Sequence, residues 1–236
     1  MKRFIASLIL FCATFVVPHL SAFAGPITVP TGLSPGDQYR LAFVTSTSRD
    51  ATSSNIADYN TFVTTDANSV PALAALGTTW TAIASTNTIN AYDNTSTNPS
   101  NAAGVPIYDL GSDLVASNNA SLWSGKLGTP ILLDEVGLSY PNLVWTGTAT
   151  DGSHVIGQAL GSAGQTTWSG LSNKFDARWV SAIIEPQAQE YSLYAISGVL
   201  TVPVPEPSTL VLAGLAAAGL AVPMLRRRRH GNSGDR

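Results

Sequence analysis

Residues 209–225 (TLVLAGLAAAGLAVPML) carry no charge and end directly on Arg226, Arg227, Arg228 and Arg229. A helix that is apolar on every side has to be buried in a large core or in a membrane. At 1.5 Å per residue this run reaches about 26 Å, close to the roughly 30 Å of a bilayer's hydrocarbon core. The four arginines hold that end in the cytoplasm and can snorkel to the headgroups. Ahead of the run, Val202-Pro203-Val204-Pro205-Glu206-Pro207-Ser208 is extended, because alternating prolines block helix and sheet ladders. The chain is therefore expected to carry its body outside and its tail inside.

The other end agrees. Lys2 and Arg3 precede an apolar stretch, residues 4–17, which Pro18 breaks. Ala22-Phe23-Ala24 then offers small residues at the positions signal peptidase inspects, so cleavage is expected before Gly25. The single cysteine, Cys12, lies inside this stretch and follows Phe11, where lipoprotein processing needs a small residue. It leaves with the signal peptide, and the mature body has no disulfide.

Pro205-Glu206-Pro207, a short apolar helix and an arginine cluster, in that order, closely resemble the PEP-CTERM sorting signal of exopolysaccharide-producing Gram-negative bacteria. The resemblance covers the last part of the chain only. It implies recognition by an exosortase, a membrane transpeptidase-like protease that cuts near the motif, discards the helix and releases or attaches the body outside. It thus implies transient inner-membrane anchoring and a final place on the cell surface or in the extracellular matrix. Residues 230–236 make a longer tail than such signals usually have.

Composition narrows what the body does. The chain is 44% hydrophobic and only 11% charged, against about 25% charged in ordinary soluble domains. Between Gly25 and Val204 five basic and thirteen acidic residues leave a net charge of −8. Nucleic-acid binding needs clustered Lys and Arg and is excluded as a function class. Scarce Glu and Lys argue against a coiled coil. The apolar fraction is too high for general disorder.

Within the body, residues 25–36 read as a lead-in. Residues 38–45 read as a strand with Tyr39, Leu41 and Phe43 on one face. Residues 55–65 read as a helix, since Ile56, Tyr59, Phe62 and Val63 recur at helical spacing behind a capping Asn55. A second short helix is expected at 70–76, stopped by Gly77, and a strand at 80–84. Residues 85–104, rich in Asn, Thr and Ser, read as a long exposed loop. Short strands are expected at 105–108, 130–133, 144–146, 178–184 and 191–202. Helices first and short strands afterwards indicate one α+β domain.

The quoted segments also carry a second resemblance. Phe43-Val44-Thr45-Ser46-Thr47, Ala57-Asp58, the stretch 77–85, Leu122-Trp123, Val144-Trp145-Thr146-Gly147-Thr148, Trp168, Trp179 and Leu193-Tyr194-Ala195 follow one another as in the C-type lectin-like fold, in its endostatin-like exported bacterial branch. The cysteines such domains normally carry are absent. The implied organisation is a signal peptide at 1–24, a lead-in at 25–36, a single C-type lectin-like domain at 37–202 with N-terminal helices and short twisted strands, the motif segment at 203–207, a transmembrane helix at 208–225 and a basic tail at 226–236.

No catalytic constellation emerges. Asp151-Gly152-Ser153-His154 reads as a turn, and no Gly-x-Ser-x-Gly elbow is present. Asp134 and Glu135 are adjacent and cannot flank one glycosidic bond from a strand; they read as a solvated loop pair. Glu185-Pro186-Gln187 resembles the calcium-associated Glu-Pro-Asn triplet of sugar-binding C-type lectins, but lies too near the closing strand and lacks the following Trp-Asn-Asp. No metal site and no cofactor are assigned. Asn94-Thr95-Ser96 and Asn119-Ala120-Ser121 fit the N-glycosylation pattern, which carries little weight beside a bacterial sorting signal. Most of the five tryptophans are expected in the core, while Trp123 and Trp168, each followed by Ser-Gly, are candidates for stacking on a sugar. The expected function is a non-catalytic component or binder of extracellular polysaccharide; the alternatives are a secreted hydrolase of the matrix and a purely structural surface protein.

Overall fold

A computed structural model describes residues 25–204. The signal peptide, residues 205–207 of the motif, the expected helix at 208–225 and the basic tail lie outside the described residues. Among the described residues no helix is long and apolar enough to cross a membrane.

The body is a mixed α/β structure, mostly sheet. In chain order it runs β1 (Gln38–Val44), α1 (Ile56–Ser69), α2 (Pro71–Ala74), β2 (Trp80–Ala82), α3 (Ala91–Asn94), β3 (Ile107–Asp109), β4 (Leu114–Ala116), α4 (Asn119–Leu122), β5 (Leu143–Trp145), β6 (Thr166–Leu171), a 3-10 turn (Ala177–Trp179), β7 (Ile183–Pro186), β8 (Ser192–Ser197) and β9 (Leu200–Thr201). The sheet order is β4-β3-β1-β8-β5-β6-β7, with β2 also on β8 and β9 on β1. Opening and closing strands are thus neighbours, Phe43 standing opposite Ala195. β8 and β9 both run antiparallel to β1, the register slipping by one residue between them.

Side chains alternate across a strand, so β1 and β8 each feed two cores. Tyr39, Leu41 and Phe43, with Leu193 and Ala195, pack beneath α1. Ala42 and Val44, with Tyr194 and Ile196, face Trp123 and Trp179 on the other side. The helix α1 forms where the spacing predicts. Asn55 accepts from the Ala57 N–H at 3.1 Å, and Tyr59, Val63 and Ala67 turn inward one turn apart. It runs past residue 65 to Ser69 because Ala67 still packs and Asp66 reaches the Thr47 hydroxyl at 2.6 Å.

The stretch 85–104 corrects the loop reading. Ser85, Thr86, Ala91, Thr95 and Thr97 are buried. Short hydroxyl side chains can bury a non-repetitive backbone if they bond to it. Ser85 Oγ accepts from the Ala91 N–H and meets Thr148 Oγ1, both at 2.8 Å. Arg40, itself buried, donates Nη1 to the Thr95 carbonyl at 2.7 Å. The strands expected at 130–133 and 178–184 also differ. The first is reduced to a bridge from Leu133 to Ser139. The second splits into the 3-10 turn and β7, because the Asp176 side chain caps the Arg178 N–H. β4, β6 and α4 are additional; α4 is held by a reciprocal cap between Asn118 and Ser121. Of the glycosylation-pattern residues, Asn119 is 2% exposed and donates to the Ala102 carbonyl.

Candidate functional site

Four tryptophans are core residues, and Trp123 is one of them. It is 6% exposed, its indole N–H donates to Thr97 Oγ1 at 2.9 Å, and its ring lies 5.9 Å from that of Trp179. Stacking on a sugar is thereby ruled out for Trp123. The following Ser-Gly suggested exposure, but Thr97 returns from far along the chain to capture the indole.

Trp168 is different. It sits half-buried on β6, and its indole N–H has no partner among the described residues. Its rung partner on β7 is Ile184, 44% exposed; two residues along, Thr166 is paired with Pro186. Residues two apart on paired strands share a face, so Trp168, Ile184, Thr166 and Pro186 form one surface of the β6–β7 ribbon. Pro186 in turn borders a cleft of about 510 Å³ that also involves Thr52, Ser162, Gln165 and Gln187, with no charged residue in its lining.

The polar groups of the cleft are positioned by local bonds. Gln187 is 4% exposed; its Nε2 donates to the Ser162 carbonyl and hydroxyl at 3.0 and 2.9 Å. Its Oε1 receives no hydrogen bond among the described residues. Gln165 stands at φ +56°, in the left-handed region that non-glycine residues rarely adopt. Such a conformation persists only where its surroundings hold it, here the Gln187 N–H on the Gln165 carbonyl at 2.9 Å. The arrangement offers an aromatic face beside neutral amide and hydroxyl groups. Sequence reasoning found Trp168 but not the cleft; Gln165 and Gln187 come together only through the β6–β7 register.

The other singled-out residues are engaged elsewhere. His154, which follows a turn closed by the Ser153 N–H on Asp151 Oδ1, has its Nδ1 2.8 Å from Asn90 Oδ1. Asp134 and Glu135 are not solvated, being 5% exposed each. Asp134 accepts from the Val136 and Leu138 N–H groups, and Glu135 accepts from the Ser46 N–H and hydroxyl. Gln187 of the Glu-Pro-Gln triplet points its amide into Ser162 as above. Among the described residues no three His, Cys, Asp or Glu side chains gather as a metal site.

Near Glu135, Asp66 is 7% exposed, and burial, with the Glu135 charge adding to it, raises its pKa. A carboxylate raised in the folded state binds its proton more tightly there than in the unfolded chain. Its ionisation costs stability at neutral pH, and the cost disappears as pH falls through the folded pKa. Asp66→Asn keeps an acceptor for Thr47. It should be at least as stable as the parent at neutral pH, and the difference should shrink as pH approaches about 4. Thermal melts across that range check this; a parent more stable than the variant at neutral pH would contradict it.

The comparisons concern the tail. Residues 203–229 match the family described as the PEP-CTERM protein-sorting motif. No curated protein matches the chain. The motif begins at the residue after Val202, whose N–H is still bonded to the body through the Asp37 carbonyl at 2.9 Å. The motif indicates an exosortase-targeted protein exported to the surface or the extracellular space, with a transient C-terminal membrane anchor.

Proposed function

We propose that the exported body is a non-catalytic binder of extracellular polysaccharide, with Trp168 as its stacking platform. The observation that carries this reading is the half-buried Trp168, which shares a ribbon face with Pro186 at the edge of an uncharged amide- and hydroxyl-bearing cleft. Ligand sites combine an apolar or aromatic face with a few placed polar groups, and a neutral sugar calls for both without charge. The engaged states of His154, Asp134 and Glu135 support the non-catalytic part. The pairing of the opening strand with the closing one, and the helices that follow β1, support a C-type lectin-like body at 37–202. Signal-peptide removal before Gly25 and exosortase processing at Pro205-Glu206-Pro207 complete the proposed route.

The test is affinity electrophoresis of the secreted protein in gels containing polysaccharide extracted from the producing strain. Retardation of the parent is expected, weakened about tenfold in Trp168→Ala, since an aromatic contact contributes up to about 1.5 kcal/mol beyond its buried area. Equal retardation of both would remove Trp168 from the site. No retardation of either would favour a structural surface protein, and release of new sugar reducing ends would favour the hydrolase.

A further inference from the structure

The place where the chain leaves the body carries a second surface. Val202 is held on both sides, its N–H on the Asp37 carbonyl and its own carbonyl on the Gly36 N–H at 3.0 Å. Only Pro203 and Val204 separate it from Pro205. At no more than about 3.6 Å per residue, the three steps from Val202 to Pro205 span roughly 11 Å at most. The prolines keep this connection extended and stiff. An enzyme that encloses Pro205-Glu206-Pro207 therefore meets the body.

What it meets is a groove of about 380 Å³ around Val29, Tyr39, Leu76, Val199, Leu200 and Pro203, with no charged residue in its lining. It forms because the turn that follows α2 ends at Gly77, in the left-handed region at φ +58°, and because the Gly198 N–H bonds to the Thr79 carbonyl at 2.8 Å. These contacts bring Leu76 beside β9. Val29 and Val199 are 39% and 46% exposed, and Val204 beyond them is 65% exposed. The centre of a protein interface is depleted of charge, and the lining of this groove is charge-free on a body of net −8.

We propose that this groove is a docking surface for exosortase, which reads the motif with the folded body seated against it. The proposal rests on the sorting reading of the tail. The bilayer is the less fitting occupant. The groove presents no Lys, Arg or Trp, the side chains that seat a domain among headgroups, and its Tyr39 is 1% exposed with the hydroxyl on the Thr28 carbonyl.

The test follows pulse-labelled full-length chain in the producing strain. Val199→Glu and Val29→Glu place a charge in the groove at exposed positions, and Val199→Ser is the milder companion. Conversion to the shorter form should slow about tenfold in the Glu variants, the loss typical of a truncated interface anchor, while body melting and export stay at parent values. Val199→Ser should fall between. Parent-rate conversion in all three would overturn the proposal. So would variants that are processed normally but wash more easily from the membrane, since that pattern makes the groove a lipid face. Glu206→Ala with Pro207→Ala in the same experiment separates the two readings. Normal processing of that chain would remove the sorting reading itself, whereas normal processing of the groove variants alone would remove only docking.

Discussion

Replacing Glu206 and Pro207 with alanines should strand the protein in the inner membrane at full length. The substitution leaves residues 209–225 and the four arginines intact, so any insertion into the bilayer should survive it. What changes is the tri-residue motif within the matched segment 203–229. The unaltered protein should be found outside, shortened by the apolar run and the arginines, and mass spectrometry of its C-terminus reads this directly. Equal mass and equal distribution of the two chains would mean that the tail is a permanent anchor. The expected effect is close to all-or-none under the sorting reading, in which the apolar run enters the bilayer and stays there until it is cut off.

Trp145→Ala should be the most damaging single change within the described body. Trp145 is fully buried on β5, its indole N–H donates to the Arg49 carbonyl at 3.0 Å, and its ring packs 4.7 Å from Tyr191. Arg49 in turn lies over the Tyr59 ring at 4.3 Å, so the tryptophan joins β5 to α1 through one arginine. Truncating a buried tryptophan costs about 3–5 kcal/mol, a large share of the 5–15 kcal/mol that holds a typical domain. For a body of this size the melting temperature should fall by roughly 10–15 °C. Trp168→Ala, at a half-buried position whose indole N–H has no partner among the described residues, is the comparison and should lower it by clearly less. Comparable shifts in the two variants would mean that Trp145 is not the keystone its contacts make it.

How much of this was legible follows from where each residue's partners lie. Local partners were readable: Asn55 before Tyr59 and Val63 marks a capped amphipathic helix, and Tyr39, Leu41 and Phe43 mark one face of a strand. Distant partners were not. Trp123 has flexible, polar neighbours in sequence, and Thr97 decides its burial. The hydroxyl-rich stretch at 85–104 looked exposed because composition reports polarity but not whether the polar groups are satisfied internally. In β6, Thr-Thr-Trp-Ser-Gly-Leu lacks clean alternation, and Gly170 is required there because a Cβ would collide with the Trp179 carbonyl. Of the candidate site, Trp168 could be read and its neighbours across β7 could not. The sorting motif was legible because its order of charges and apolar residues is itself the signal.

The hydroxyl-stapled interior has a consequence for where such a protein can work. Among the described residues the ion pairs are Arg49 with Asp50 and Arg178 with Asp176, both partly exposed and each within two positions along the chain. Distant parts of the chain are joined by bonds in which no two opposite charges meet, among them Ser85 with Thr148, Trp123 with Thr97 and Gln187 with Ser162. Dissolved electrolyte weakens attraction between exposed charges and leaves enclosed neutral contacts almost untouched. A body joined this way is expected to hold its shape in fresh and in brackish water alike, a variable no bacterium regulates beyond its own envelope.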